Sequence, residues 1–349
     1  MAKQHINVFI VDDSPVSREM LSHILKTDPE FKVSGSAESG EQALKMLPSL
    51  PVDVVTMDLH LPGINGFEVT RRIMETKPIP IVVISSLVHT EETAAAFRAM
   101  EAGALAVLEK PGSVADEDYK HQAEKIKSTI KMISEVKLIK RKSSSTIQPP
   151  LKPTLKLDKY EKMAVDAIAI GASLGGPVVL ATILSKLTPN FPVPIYIVQH
   201  ISPGFVNGLI DWLQTFTSMK LEIAKDGSQG LPGHCYFAPD GFQMEIQKSG
   251  RISLMTNHQT QPSVSRLFKS IGETFNKRAI AVLLTGMGKD GAQELLHLRR
   301  LGACTIAQDE KSSVVYGMPG EASAIGAVQY SAPPEEIAAI LNHLVSDKE

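Results

Sequence analysis

Short apolar runs alternate with amphipathic helical stretches along most of this chain of 349 residues. In the first half the apolar runs are INVFIVDD, KVSGSAE, VDVVTMD, IVVISS and LAVLEK, and stretches such as PVSREMLSHILKT lie between them. Buried strands that are joined by helical crossovers form a mainly parallel sheet with both faces covered. The alternation therefore predicts an α/β fold.

The same alternation resumes in the second half, where AIAIG, IYIVQH, AIAVLLTG and CTIAQ are the predicted strands. Between residues 221 and 255 the pattern changes to the short β runs LEIAK, HCYFAP, MEIQK and RISLM. We expect a small antiparallel excursion there. The rest of this half is predicted to be a doubly wound, mainly parallel α/β domain.

A segment without periodicity separates the two halves. A lysine-rich helical stretch runs into SSSTIQPPLKPTLKLDKYEK, which carries too little apolar surface to order itself alone and is typical of a linker. The length of the chain is comfortable for two domains. We predict a first domain at residues 1–125, a helix end and linker at 126–162, and a second domain at 163–349.

The overall composition excludes several classes of partner. A net charge of −2 gives no reason to expect a nucleic-acid or membrane partner. No apolar run is long enough to cross a bilayer, and no signal-peptide cleavage site follows the first one. Cys235 and Cys304 have no metal-ligand spacing. We therefore expect a cytoplasmic protein without disulfides or direct membrane insertion. We also expect a monomeric chain.

Polar residues end the predicted strands of the first half. These are Asp12 and Asp13, then Asp58, Ser85 and Lys110. In parallel sheets such ends meet at one edge. Three carboxylates that meet there need a cation to offset their repulsion, and oxygen ligands suit Mg²⁺. A lysine and a hydroxyl opposite them could hold a phosphoryl group, with Asp58 as the nucleophile. The run DDSP alone would equally be a helix N-cap.

The runs VDDSP, MDLHLPGINGFE, IVVISS and EKP resemble the receiver domain of bacterial response regulators over residues 1–125. The resemblance implies a flavodoxin-like fold whose five-stranded parallel sheet has the order 2-1-3-4-5. It also implies that Asp58 accepts phosphate from a histidine kinase. Where many receivers have an aromatic residue three positions before the lysine, this chain has Val107.

The same resemblance implies roles for the other strand-end residues. Asp12 and Asp13 would bind Mg²⁺ together with Asp58, and the carbonyl of His60 would complete the metal site. Ser85 and Lys110 would sense the phosphoryl group.

The run AIAIGASLGG, residues 167–176, opens the second half with two competing interpretations. A dinucleotide fingerprint needs glycine where Ser173 lies, and no Gly-Lys-Ser/Thr follows as a Walker loop requires. The run satisfies G-x-S-x-G, the strand-to-helix turn that exposes a nucleophilic serine. On its own this match is equally an N-cap serine.

A nucleophilic serine needs a base and a group that orients the base. His200 terminates the apolar strand PIYIVQH, and Asp290 follows AIAVLLTG after two loop glycines. Each has a structural alternative, since a strand-end histidine is often structural and Asp290 could be an N-cap. If the three strands are parallel neighbours, Ser173, His200 and Asp290 meet in one crevice. Their chain order disfavours an ordinary α/β-hydrolase.

Residues 165–345 resemble the catalytic domain of the chemotaxis protein-glutamate methylesterases, through IGASLGGP, QHISPGF, DGSQGLPGHCYFAP, LLTGMGKDGAQELL and TIAQDEKSSVVYGMPGEA. The resemblance implies that Ser173 attacks the methyl ester of a receptor glutamate, that His200 takes its proton and that Asp290 orients the imidazole. The amide of Met287 would help to hold the oxyanion. The resemblance also implies that methanol is released, that selected receptor glutamines are deamidated and that the reaction needs no cofactor.

The family's partners are a chemotaxis histidine kinase and the cytoplasmic domains of methylated chemoreceptors. A receiver that blocks the serine crevice until Asp58 is phosphorylated would couple hydrolysis to the signal. The chain departs from the family pattern at Leu174, Gln261 and Ser265. We expect that none of these positions touches the triad. Two alternatives stay open: a receiver-regulated adaptor without activity, and an esterase that acts on a non-receptor protein.

Overall fold

A computed structural model describes residues 5–85, 90–112, 119–136, 160, 162–256 and 261–345, with the backbone alone for residues 90–95. The chain divides into two compact units, Met1–Ile147 and Gln148–Glu349. Most of the predicted linker, 137–159, lies outside the described residues. No helix within the described ranges is long and apolar enough to cross a membrane.

Unit 1 is a five-stranded parallel sheet with helices between the strands. The strands are β1 (Ile6–Val11), β2 (Phe31–Ala37), β3 (Val54–Met57), β4 (Ile81–Ser85) and β5 (Ala106–Glu109). The helices are α1 (Pro15–Lys26), α2 (Gly40–Met46), α3 (Gly66–Thr76), α4 (Thr90–Ala102) and α5 (Tyr119–Ser134), with a 3-10 turn at Leu47–Ser49. The strand order β2-β1-β3-β4-β5 confirms the predicted receiver topology.

Helix α5 continues past residue 125 into the segment that was predicted to be a helix end and linker. Its apolar side chains Ile126, Ile130 and Ile133 are buried, so this helix covers the sheet of unit 1 along its length. Val107, which stands where many receivers have an aromatic residue, lies in β5 and is also buried.

Unit 2 has a seven-stranded sheet, a separate two-stranded sheet and six helices among its described residues. The strands are β6 (Ala167–Ala172), β7 (Ile195–Gln199), β8 (Lys220–Ile223), β9 (His234–Phe237), β10 (Phe242–Ile246), β11 (Ile252–Thr256), β12 (Ala279–Leu283), β13 (Cys304–Gln308) and β14 (Tyr330–Ala332). The helices are α6 (Gly176–Leu184), α7 (Val206–Gln214), α8 (Val264–Phe275), α9 (Ala292–Arg300), α10 (Met318–Ala324) and α11 (Pro334–Val345), and Asn276–Arg278 is a 3-10 turn.

The antiparallel excursion is smaller than the sequence indicates. Only β10 and β11 pair antiparallel, whereas β8 and β9 are parallel strands at one end of the large sheet. Three residues of β9, Cys235 to Phe237, are buried, as expected for a strand covered on both faces. The expectation is therefore wrong for β8 and β9, because short β runs do not reveal their partners' direction.

The large sheet brings three strand ends of unit 2 together. Its order is β14-β13-β12-β6-β7-β9-β8, so β6 lies between β12 and β7. Ala172 at the end of β6 pairs with Gln199 at the end of β7, and Gly171 pairs with Leu283 at the end of β12. Residues that follow these strands therefore meet at one carboxyl edge, where functional groups of parallel sheets collect.

Candidate active site

Ser173 lies in a tight turn between the end of β6 and the start of α6. Its amide donates to the carbonyl of Thr285 at 3.0 Å, and its carbonyl accepts from the amide of Gly176 at 2.9 Å. Gly175 has a φ of 77°, a left-handed conformation that glycine adopts without steric cost. The local structure is the strand-to-helix turn that the G-x-S-x-G pattern predicts.

His200 lies beside Ser173, immediately after β7. Its amide donates to the carbonyl of Ala172 at 2.8 Å, and its side chain is 14% exposed. Both residues are described by the structure, and the ring of His200 makes no hydrogen bond with the hydroxyl of Ser173. The structure thus brings the two residues to the same edge of the sheet without pairing their side chains.

Asp290 reaches His200 from the loop that follows β12. Its Oδ2 lies 3.0 Å from Nε2 of His200 and accepts from the amide of Val264 at 2.8 Å. Its Oδ1 accepts from the amide of Ser265 at 2.9 Å and from the hydroxyl of Ser263 at 3.1 Å. These four partners fill the lone-pair directions of a carboxylate, so the orientation of Asp290 is fully determined.

The hydrogen bonds keep Asp290 ionised. Burial by itself raises the pKa of this carboxyl, but the hydrogen bonds from His200 and Ser265 outweigh burial and hold the pKa well below its ordinary value of 3.8. Donors that bind the ionised form lower a carboxyl pKa in this way. At neutral pH the imidazole therefore faces a full negative charge.

Gln199, the last residue of β7, joins the backbones of the serine and the histidine. Its Nε2 donates to the carbonyl of Ser173 at 2.7 Å and to the carbonyl of His200 at 2.8 Å. Within the part of the chain that the structure describes, its buried Oε1 has no hydrogen-bond partner. This oxygen lies so close to Gly176 that a Cβ built there would be 2.1 Å from it. Sequence reasoning missed Gln199, for which the only signal is a polar residue at the end of an apolar strand.

Two backbone amides beside Ser173 are available to a substrate oxygen. A Cβ built on Gly286 would lie 2.6 Å from Cβ of Ser173, which shows how closely the loop after β12 approaches the serine. In the described part of the chain the amides of Met287 and Leu174 donate to no acceptor. Unpaired amides beside a nucleophile are the donors that an oxyanion hole requires.

Ser265 contacts the candidate triad, contrary to the expectation from sequence. Its amide donates to Asp290, 25 residues away in the chain. Its hydroxyl accepts from the amide of Gly291 at 2.9 Å and donates to Glu294 at 2.6 Å. The expectation is wrong at this position because the contact joins the beginning of α8 to a loop that is remote in sequence.

Gln261 and Leu174 differ in how closely they approach the triad. Nε2 of Gln261 donates to the carbonyl of Ile201 at 3.2 Å, so Gln261 contacts the residue that follows His200. Leu174 directly follows the serine, and its carbonyl accepts a hydrogen bond from the hydroxyl of Thr285 at 3.0 Å.

In unit 1 the strand ends place Lys110 between two carboxylates. Nζ of Lys110 lies 2.6 Å from Asp58 and 2.8 Å from Asp12, and both carboxylate side chains are nearly fully buried. Burial is the main cause that raises the pKa of Asp12, with the Lys110 hydrogen bond opposing it and the Asp58 charge adding to it. Burial alone would lower the pKa of Lys110, but hydrogen bonds to Asp12 and Asp58 outweigh it and raise this pKa.

Asp13 completes an acidic cluster with these two residues. Asp12, Asp13 and Asp58 each offer a ligand oxygen, and the three oxygens lie within 4.8 Å of one another. Carboxylate oxygens at this separation repel one another and suit a divalent cation such as Mg²⁺. The residues present therefore fit the predicted metal.

Ser85 and His60 flank the acidic cluster. Ser85 ends β4 and is buried, and its hydroxyl has no hydrogen-bond partner among the described residues. The hydroxyl can therefore donate to a phosphoryl oxygen. The amide of His60 donates to Oδ1 of Asp58 at 3.3 Å. Metal ligation by the carbonyl of His60 stays a prediction.

Comparisons with known proteins match both units. Residues 168–341 match the family model described as CheB methylesterase, and residues 8–118 match the one described as response regulator receiver domain. A crystal structure of the Thermotoga maritima CheB methylesterase catalytic domain is 33% identical to this chain, with a TM-score of 0.50. The match covers 52% of this chain and 100% of that one.

Relatives of known name match this chain over nearly its whole length. Protein-glutamate methylesterase/protein-glutamine glutaminase 1 of Syntrophus aciditrophicus is 48% identical over 341 residues, which cover 96% of this chain and 97% of the relative. A protein-glutamate methylesterase/protein-glutamine glutaminase of Nitrosospira multiformis is 43% identical over 347 residues and 98% of each chain. The similarity therefore extends over both units.

Proposed function

The chain belongs to the family of CheB methylesterases that carry a response regulator receiver domain, and from this premise we propose that it demethylates chemoreceptors. The substrate is the methyl ester of a receptor glutamate side chain, and the products are methanol and the free carboxylate. The relatives' names add glutaminase activity, so the same site deamidates selected receptor glutamines and releases ammonia.

In the proposed mechanism Ser173 is the nucleophile. Its Oγ forms a bond to the ester carbonyl carbon while its proton passes to His200. The tetrahedral intermediate collapses, the bond to the methoxy oxygen breaks, and methanol leaves with that proton. Water then attacks the acyl-enzyme through the same base, which regenerates Ser173 and the glutamate carboxylate.

The nitrogen of His200 that takes the proton is Nδ1. Nε2 is engaged with Asp290 at 3.0 Å, so the imidazolium that forms is stabilised on its far side by the ionised carboxylate. The amides of Met287 and Leu174 donate to the oxygen that becomes negative in the tetrahedral intermediate. This reaction uses groups of the protein and water alone.

The observation that carries the proposal is the hydrogen bond between His200 and Asp290 at the strand edge that holds Ser173. If His200 were only a structural histidine, or Asp290 only an N-cap, nothing would require the two to be hydrogen-bonded to each other beside a serine on a strand-to-helix turn. Gln199 supports this interpretation because it binds the carbonyls of Ser173 and His200 at once.

Methanol release from a methylated chemoreceptor tests the proposal. The wild-type chain should release methanol, and Ser173→Ala should lower the rate by several orders of magnitude. Ser185→Ala is the matched control, because Ser185 follows α6 and its exposed hydroxyl donates only to the carbonyl of Thr182. If the wild type releases no methanol, the chain is an adaptor or acts on another protein.

The receiver unit regulates this activity in the proposed function. Asp58 accepts a phosphoryl group from a chemotaxis histidine kinase, and phosphorylation raises the rate of hydrolysis. Asp12, Asp13 and Asp58 would hold Mg²⁺, which would supply positive charge beside the transferred phosphoryl group. Lys110 and the hydroxyl of Ser85 then bind phosphoryl oxygens. The proposal also includes a cytoplasmic location and a monomeric chain.

A further inference from the structure

The carboxylate of Asp290 lies on the N-terminus of helix α8. Three of its four hydrogen bonds come from the first residues of this helix: the amides of Val264 and Ser265 and the hydroxyl of Ser263. The unpaired amides of a helix N-terminus and the helix dipole both favour a negative charge there. The fourth hydrogen bond is to His200, so α8 determines where the carboxylate can meet the imidazole.

Two glycines allow α8 to approach this closely. A Cβ built on Gly171, in β6, would lie 2.3 Å from Cγ1 of Val264, and one built on Gly291 would lie 2.5 Å from the same atom. Both separations are far below any real contact between carbon atoms. The first residue of α8 therefore fits between the nucleophile's strand and the Asp290 loop only because neither position carries a side chain.

Ser263 is the one side chain among these three helix donors. Its hydroxyl donates to Oδ1 of Asp290 at 3.1 Å and accepts from the amide of Arg266 at 3.4 Å as the N-cap of α8. Its own amide donates to the buried Gln243 at 2.6 Å. A hydroxyl has one proton to donate and two lone pairs to accept, so capping and donation to Asp290 use different parts of the same group.

We propose that Ser263 is a positioning residue of the esterase site, which holds the Asp290 carboxylate in the orientation that engages His200. The inference rests on the proposed function, since it assigns a role within the same triad. Capping alone would make Ser263 a stability determinant of α8. The proposed role makes it a determinant of how fast Ser173 reacts.

Substitutions at position 263 separate these two roles. Glycine is nearly as good an N-cap as serine, but it has no hydroxyl to donate. Threonine keeps the hydroxyl and the cap. Ser263→Gly should therefore leave α8 nearly as stable and slow the enzyme, whereas Ser263→Thr should retain the wild-type rate. Ser263→Ala loses both interactions.

Ser270→Ala is the control for destabilising α8. Ser270 lies in the same helix, where its hydroxyl accepts from the amide of Ile246 at 3.0 Å and donates to the carbonyl of Leu267 at 2.9 Å. The substitution removes a buried serine hydroxyl from α8 without changing a donor to Asp290. Its thermal stability should fall while the reactivity of Ser173 stays at the wild-type level.

The readout is the rate at which a fluorophosphonate labels Ser173 in the full chain, which requires no receptor. Its limiting rate and its half-saturating concentration are measured separately, together with the thermal midpoint. We expect Ser263→Gly and Ser263→Ala to lower the limiting rate by about ten-fold or more, the worth of one hydrogen bond to a charged group, with little change in half-saturation. Methanol release from methylated receptor is measured in parallel.

Two outcomes overturn the inference. One is a wild-type limiting rate in Ser263→Gly and Ser263→Ala, which leaves capping as the only role. The other is an equal loss in Ser270→Ala, which makes the effect a consequence of α8 stability. If the wild type is labelled normally but releases no methanol, the proposed substrate is contradicted. The labelling rates of the Ser263 variants then still decide the role of Ser263.

Discussion

His200 meets Asp290 through Nε2, at 3.0 Å from the carboxylate Oδ2. Its Nδ1 makes no hydrogen bond with any described residue and is the nitrogen left for the serine proton. In the serine-protease template the two nitrogens have the opposite partners. The histidine follows a strand directly beside the serine, so the backbone positions of these two residues decide which nitrogen faces which partner.

Asp290→Asn should nearly abolish hydrolysis. The carboxylate is surrounded by four donors, and an amide offers them one acceptor oxygen and an NH₂ group that has to face a donor. The imidazole then loses its negative partner and its favoured tautomer, and we expect kcat to fall by about 10³- to 10⁴-fold with little change in KM. Methanol release measures this, and a loss below about ten-fold would show that His200 acts without Asp290.

The low pKa of Asp290 predicts a pH-dependent contribution to stability. Because the folded pKa lies below the unfolded value near 3.8, the contribution is complete above that value and is lost as the pH falls through the folded pKa. From pH 6 to pH 3, the stability difference between wild type and Asp290→Asn should shrink by about 1 kcal/mol. The fluorescence of Trp212, the single tryptophan, reports urea unfolding of unit 2; a constant difference would contradict the prediction.

Gln199→Met should lower both stability and activity. The substitution keeps the volume of the side chain but leaves the carbonyls of Ser173 and His200 without their shared donor, at a cost of about 2 kcal/mol in the free energy of unfolding. We expect kcat to fall with the loss of alignment between the two residues. Urea unfolding and methanol release together measure the two effects.

Gln214→Met is the matched control for Gln199→Met. Nε2 of Gln214, at the end of α7, also donates to two carbonyls, those of Thr217 and Met219, and its Oε1 accepts from the amide of Leu221. None of these hydrogen bonds involves a residue of the proposed triad. This variant should lose stability and keep its kcat. An equal fall of kcat in both variants would show that activity follows stability alone.

Removal of Mg²⁺ should prevent phosphorylation of unit 1. Asp12, Asp13 and Asp58 concentrate negative charge that Lys110 only partly compensates, so a phosphoryl donor cannot approach Asp58 without the cation. Transfer of labelled phosphate from the kinase should stop on addition of EDTA and return with Mg²⁺.

Asp58→Asn should accept no phosphate with or without metal, and should keep the basal esterase rate while losing stimulation. Stimulation that survives in this variant would place the phosphoacceptor elsewhere.

Deletion of unit 1 tests the direction of the regulation. If the unphosphorylated receiver restrains hydrolysis, residues 148–349 alone should have a higher basal rate than the unphosphorylated full chain. A basal rate that is no higher than that of the full chain would show that phosphorylation activates by another route.

Much of this protein follows from local sequence patterns. Strands buried on both faces are recognisable as short apolar runs, and the residue that ends each run must lie at the carboxyl edge of a parallel sheet. That argument places Ser173, His200 and Asp290 at the carboxyl edge of one sheet, and Asp12, Asp58 and Lys110 at that of another, and the strand order then makes β6, β7 and β12 neighbours. The family resemblance added their roles.

The tertiary structure decided what local patterns do not encode. The parallel pairing of β8 and β9, the shared donor Gln199, and the packing of α8 against Asp290 all join segments whose distance in sequence carries no signal. In the sequence Ser263 is indistinguishable from any other N-cap serine. Only the structure shows that its hydroxyl donates to the carboxylate of Asp290, 27 residues away in the chain. The sequence alone determined which residues end the strands, because burial and periodicity are local properties. Only the folded chain decided which donors hold Asp290, because hydrogen-bond partners are set by how the helices pack on the sheet.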